Sequence, residues 1–116
     1  MGHYHDIIGE LRQPSRDLRD AIPDVWGSFA EMHKAAVADG VLPAKFKELI
    51  ALAIAVIEGC DGCIAYHARA AAHKGATQEE AAEALGVTLL MGGGPATIHG
   101  PRALEAFQEF ADTAVR

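Results

Sequence analysis

Nine consecutive residues, Leu49-Ile-Ala-Leu-Ala-Ile-Ala-Val-Ile57, are apolar without interruption. A helix built from them is hydrophobic on every side and needs protein cover all round. It is too short to cross a bilayer, which takes about 20 apolar residues. Pro43 precedes the run and Gly59 follows it, a residue suited to a helix start and one suited to a stop. The pattern predicts a central buried helix from Pro43 to Glu58, with Lys45, Lys47 and Glu48 in its first turns. A chain of 116 residues fits one domain. A domain of that size buries only about two-thirds of its unfolded surface. Full cover for this helix therefore predicts a homo-oligomer.

Other breakers divide the remaining sequence in the same way. Gly40, Gly75, Gly86 and the Gly92-Gly93-Gly94-Pro95 cluster mark turns. Alanine is abundant and no stretch alternates apolar with polar, so strands are not expected. The reading is an all-α bundle of six to eight helices within one domain, 1–116. Residues 1–22 are expected to form an N-terminal arm with a short, weakly marked helix, and 23–116 the helical core. Val25, Trp26, Phe29, Met32, His33 and Ala36 fall at helical spacing between Pro23 and Asp39. A further helix is expected from Cys60 or Asp61 to Lys74. Thr77-Gln-Glu-Glu80 is a capping box. The helix it opens is expected to stop near Gly86, before a short buried segment Val87–Met91. A last helix is expected from Ala96 to Val115, offset by Pro101.

Acidic residues number 16 against 10 lysines and arginines, a formal charge of −6. Nucleic-acid binding draws on a basic stripe, and the linear sequence has none. Anionic membranes are disfavoured for the same reason. The first residues lack the basic and apolar regions of a secretory signal, so a soluble, cytoplasmic protein is expected. In that compartment a cysteine pair points to redox or metal chemistry rather than to a structural staple.

The pair occurs in Glu58-Gly-Cys60-Asp-Gly-Cys63-Ile-Ala-Tyr-His67. On a helix, Cys60, Cys63 and His67 share one face over two turns. Two thiols one turn apart can close a disulfide with little rearrangement. At a helix start the free N–H groups and the dipole favour thiolate. His67, one turn past Cys63, is placed to take or return that thiol's proton. Glu48 lies 12 residues before Cys60, on the preceding helix. If the two helices pack antiparallel across Gly59, its carboxylate reaches back to orient the imidazole, giving a Glu–His–Cys relay. A carboxylate buried there needs such a partner. Glu58 is nearer in sequence but sits beside the turn, and ranks second.

Four segments carry a resemblance. They are Lys47-Glu48-Leu49-Ile50-Ala51-Leu52-Ala53, Cys60-Asp-Gly-Cys63-Ile-Ala-Tyr-His67, Ala70-Ala-Ala-His-Lys-Gly75-Ala76-Thr77 and Glu79-Glu80-Ala81-Ala82-Glu83-Ala84-Leu85. Together they resemble the AhpD-like alkylhydroperoxidase and carboxymuconolactone decarboxylase family, over roughly residues 23 to 110. The resemblance implies an all-α fold assembling into a homotrimer or homohexamer. It also implies peroxidase or disulfide-reductase activity, with no metal or organic cofactor. By the same resemblance Cys63 attacks the peroxide, Cys60 resolves, and His67 with Glu48 moves the proton. A lipoyl or thioredoxin-like dithiol restores the pair at Cys60. The helix-dipole argument instead favours Cys60 as the more acidic thiol. One departure stands out: relatives often carry a histidine between the cysteines, where this chain has Asp61-Gly62, which adds a charge opposing thiolate formation. Decarboxylases of the family generally lack the cysteine pair, so decarboxylation is not expected.

Other readings of the same residues stay open. The cysteines could be small core residues. With His67 they could hold a metal, although a closed zinc site needs four ligands. A non-enzymatic oligomeric module whose cysteines sense oxidation would carry the same pattern. Taken alone, Glu48 could be an exposed first-turn acid. His99 is expected at the surface or at a cap, His33 and His73 in structural or solvent positions, and His3 and His5 in a frayed terminus. The glycine cluster follows no strand and lacks the Gly-Lys-Ser/Thr ending of a phosphate loop.

Overall fold

A hairpin of two helices turning at Gly59 forms the centre of the molecule. The structure, a computed structural model, describes residues 2–114. Among the described residues every regular element is an α-helix, with no strand. The six helices are α1 (His3–Ala21), α2 (Pro23–Val37), α3 (Ala44–Glu58), α4 (Asp61–His73), α5 (Gln78–Gly92) and α6 (Gly94–Ala114).

Both ends of α3 are closed by local chemistry. The Ala44 N–H donates to Asp39 Oδ1 at 2.7 Å, and Lys47 Nζ donates to the Ala38 carbonyl at 2.7 Å. At the far end Gly59 adopts φ 66°, a left-handed conformation that glycine reaches without a Cβ penalty. The Gly59 and Cys60 N–H groups then close on the carbonyls of Val56 and Ala55 at 3.1 and 3.2 Å. The turn sends α4 back along α3.

Helix α4 is central and packs against α3, α6 and α1. Its inward residues are Ile64, Ala65, Ala68, Ala71 and Ala72. The four alanines among them let the surrounding backbones approach closely. Leu49, Leu52 and Val56 from α3, and Phe107 and Phe110 from α6, complete the core with Tyr4 and Ile8. The capping box of α5 forms as expected, with Thr77 and Glu80 bonded reciprocally at 2.9 and 3.0 Å. Lys45 Nζ pairs with Glu80 at 3.1 Å, fastening α5 to the start of α3.

The N-terminal segment is not an arm. It forms a 19-residue helix whose Tyr4 and Ile8 are buried. Nor is His5 frayed: its ring Nδ1 pairs with Glu109, and its backbone N–H donates to the same carboxylate at 2.7 Å. The Tyr4 N–H adds a bond at 3.3 Å. Free N–H groups at a helix start have thus found a carboxylate on α6. Burial pushes the Glu109 carboxyl up, but the His5 backbone, the His5 ring and the Tyr4 backbone outweigh it and hold the group below its usual range.

Expectations for four other helices are corrected. Helix α5 does not stop at Gly86 but continues to Gly92, and Val87, Leu90 and Met91 on it are exposed rather than buried. A single interior glycine costs a helix only about 1 kcal/mol relative to alanine, too little to end one that is well capped. Helix α6 starts at Gly94 and passes through Pro101; the expected end at Val115 lies outside the described residues. Helix α2 buries none of its residues. Its apolar face leaves Val25, Phe29 and Met32 exposed. The apolar run of α3 is likewise divided in the single chain. Leu49, Leu52, Ala55 and Val56 face the core, while Ile50, Ile54 and Ile57 are 50, 53 and 50% exposed. No helix among the described residues is long and apolar enough to cross a membrane.

Candidate active site

The Gly59 turn delivers Cys60 to the N-cap of α4, where its Sγ accepts the Cys63 N–H at 3.2 Å. Cys60 and Cys63 are joined as a disulfide, with Cα atoms 5.2 Å apart. One turn on, His67 Nδ1 lies 2.8 Å from Glu48 Oε1, so the ring donates to the carboxylate. Glu48 comes from α3, which packs antiparallel to α4, the arrangement the relay required. It is 2% exposed, and His67 is its hydrogen-bonding partner. With Nδ1 committed to the carboxylate, Nε2 is the ring nitrogen left to exchange a proton. Glu48 therefore sits behind the imidazole, while the imidazole faces the cavity.

That cavity has a volume of about 730 Å³ and is bounded by α1, α2 and α4. Cys60, Cys63 and His67 line one side; Ile7, Leu11, Phe29 and Tyr66 are among the other walls. Gly62, inside the cysteine motif, lets α1 approach: a Cβ there would lie 3.2 Å from the Leu11 side chain.

The structure thus brings together the four residues singled out in the sequence. Glu58 is exposed at the end of α3 and takes no part in the cavity wall. Asp61 is exposed in the first turn of α4 and is also absent from the wall. His33 was missed. It lines the cavity, stacks on Phe29 at 6.4 Å and places its ring 6.1 Å from that of His67. No linear motif ties α2 to α4, and the one available signal was a histidine on an apolar helix face. His99 is half-buried inside α6 and is not a cap. Among the described residues its Nδ1 is buried without a partner, and its ring packs where a Cβ on Gly59 would lie 3.1 Å away. Among the described residues, no three His, Cys, Asp or Glu side chains converge as metal ligands.

Known proteins share both sequence and fold. Residues 23–109 match the carboxymuconolactone decarboxylase family. An uncharacterized protein from Cupriavidus necator is 42% identical over 100 residues, spanning 86% of this chain and 88% of that protein. The uncharacterized protein 4 in the cox locus of Paracoccus denitrificans is 34% identical over 102 residues, spanning 88% and 86%. The crystal structure of an apo carboxymuconolactone decarboxylase family protein from Legionella pneumophila superposes with a TM-score of 0.90 at 39% identity. It covers 93% of this chain and 96% of that one. The family match spans the Glu48, Cys60, Cys63 and His67 constellation, and the chain belongs to the carboxymuconolactone decarboxylase family.

Proposed function

We propose that this protein is a thiol-dependent peroxidase and disulfide reductase of the AhpD-like kind. The observation that carries the reading is the 2.8 Å hydrogen bond to buried Glu48 from His67, one turn past the Cys60–Cys63 pair on α4. A carboxylate behind an imidazole behind a thiol is an arrangement for moving a proton.

The cycle starts from the reduced pair. His67 Nε2 takes the Cys63 proton, and the thiolate attacks one peroxide oxygen. The O–O bond breaks, the alkoxide leaves with the proton returned by His67, and Cys63 becomes a sulfenic acid. The Cys60 thiol then displaces hydroxide as water and closes the disulfide. An external dithiol, lipoyl or thioredoxin-like, opens it by exchange and is itself oxidised to a disulfide. The net reaction converts hydroperoxide and dithiol into alcohol, water and disulfide. Cys60, whose sulfur caps α4, is the atom the reductant engages, leaving Cys63 to depart as thiolate beside His67.

The same reading includes a homotrimer or homohexamer. Its support is the apolar surface that a single chain leaves open on α2, α3 and α5. Hydroperoxide consumption with a dithiol donor, compared with Cys63→Ser and Cys60→Ser, tests the proposal. Turnover abolished by both changes is expected. Stoichiometric oxidation without turnover would instead make the pair a sensor, and an unreactive pair would return both cysteines to structural roles.

A further inference from the structure

Four of the six arginines of this acidic chain line one small cavity. Arg12, Arg16 and Arg19 stand on successive turns of α1, and Arg69 faces them from α4. Like charges one helix turn apart disfavour a helix, so the row runs against the stability of α1. Arg19 is engaged by Asp20 at 3.3 Å. Among the described residues, Arg12, Arg16 and Arg69 have no carboxylate within 4.0 Å. Arg69 lies over the Tyr66 ring, its guanidinium carbon 5.3 Å from the centroid, a cation–π contact that restrains the side chain.

This basic shelf, about 230 Å³, adjoins the dithiol cavity: Tyr66 and Arg69 line both. The dithiol cavity is mostly apolar, and its carboxylate, Glu10, lies on α1. Glu10 is the one acidic side chain of that lining, so an anionic group is favoured on the arginine shelf, which has none. An apolar chamber of some hundreds of Å³ leading to a cationic shelf is complementary to an amphipathic acid.

We propose that shelf and cavity form one binding site for an organic hydroperoxide that carries a carboxylate. Arg12, Arg16 and Arg69 hold the carboxylate, and Ile7, Leu11 and Phe29 enclose the hydrocarbon leading to the peroxide beside Cys63. The inference rests on the peroxidase reading for the reacting end; the anion site is testable without turnover.

Trp26, the only tryptophan of the chain, lines the shelf and reports its occupancy. Titrating the full-length protein with decanoate, which has no peroxide, is expected to give a saturable change in its emission. Methyl decanoate and inorganic phosphate, each lacking one half of the ligand, are expected to bind far more weakly. Arg16 is exposed, and Arg16→Gln should weaken decanoate by about tenfold, the loss of one charge-assisted hydrogen bond, with the circular dichroism unchanged. In turnover, Arg16→Gln should lower the preference for an acid hydroperoxide over its methyl ester. Equal binding of decanoate and its ester, or of phosphate alone, would overturn the inference. So would no decanoate binding in a protein that reduces a neutral hydroperoxide. Decanoate held through Arg16 in a protein that reduces no hydroperoxide would support the anion site and sink the peroxidase reading instead.

Discussion

His67 Nδ1 and Glu48 Oε1 meet at 2.8 Å across the interface of α3 and α4, with the carboxylate buried and the imidazole at the cavity wall. Neither group is well placed without the other. Truncating His67 to alanine leaves the Glu48 carboxylate buried without its partner, which should cost about 1–3 kcal/mol in urea unfolding. Adding Glu48→Gln should recover part of that loss, since an amide is cheaper to bury than a charge. Equal stability of H67A and H67A/E48Q would count against the pairing. In turnover, E48Q alone should lower kcat/KM by about 100-fold, the lower end of the range for general acid–base catalysis.

Gly59 should not tolerate a side chain. Its φ of 66° penalises an L-residue by about 1–2 kcal/mol. A Cβ would also lie 3.1 Å from His99 Nε2. Thermal or denaturant melts of G59A should show at least the backbone penalty. Combining it with His99→Ala should be less costly than the sum of the two changes, because the steric part disappears. Additive losses would mean the ring gives way freely.

Stability should fall at both ends of the pH scale through groups on the α1–α6 interface. Glu109 is held below its usual range, so its contribution is complete above the unfolded carboxylate value, 4.5 in the reference state. That contribution is lost as pH falls through the depressed folded value. Tyr4 is raised above 10.0, first by burial and then by Glu105 and Asp61. Its contribution is complete below 10.0 and lost as pH rises through the folded value. Urea midpoints against pH should show a shallower acid limb for Glu109→Gln and a shallower alkaline limb for Tyr4→Phe.

Helix α5 depends on its first turn. Thr77→Ala removes the side-chain oxygen bonded to the Glu80 N–H at 3.0 Å and should cost about 1 kcal/mol. The loss should be visible as earlier hydrogen exchange in the first turn of α5. No change there would mean the Lys45–Glu80 pair alone secures the helix start.

The exposed Ile50, Ile54 and Ile57 provide a test of assembly. Light scattering should give a trimer or hexamer mass for the native chain, and Ile54→Glu should lower it, because a charge buried in an apolar interface is unpaired. A monomeric native chain would remove assembly from the proposal.

The helical class, the α3–α4 hairpin and the capping box were legible because each rests on local chemistry: a Pro43 start, a Gly59 stop, a Thr77–Glu80 exchange. The constellation of Glu48, Cys60, Cys63 and His67 was legible for a related reason. Its three α4 members share one helical face, and Glu48 needed only an antiparallel turn to join them. What sequence reading misplaced depends on contacts between distant segments. Nothing local to His5 announces Glu109 on the last helix, so the first helix read as an arm. Gly86 looked like a stop because its local cost is visible while the cap and packing that override it are not. The convergence of Arg69 with an arginine row on α1 is invisible to net charge, which sums over the whole surface.

The alanines of α4 have a consequence for how such a protein can change over time. Ala65, Ala68 and Ala71 are fully enclosed, so any larger residue there would push apart the helices that hold the cysteines and His67. The cysteine pair and His67 are therefore carried by the element least free to vary. The opposite walls of the cavity belong to α2, which buries nothing, and to α1, which buries only Tyr4 and Ile8. Those walls are open to substitution at little cost to the folding of the single chain. A lineage built on this scaffold could exchange the molecules it accepts while inheriting the same chemistry unaltered.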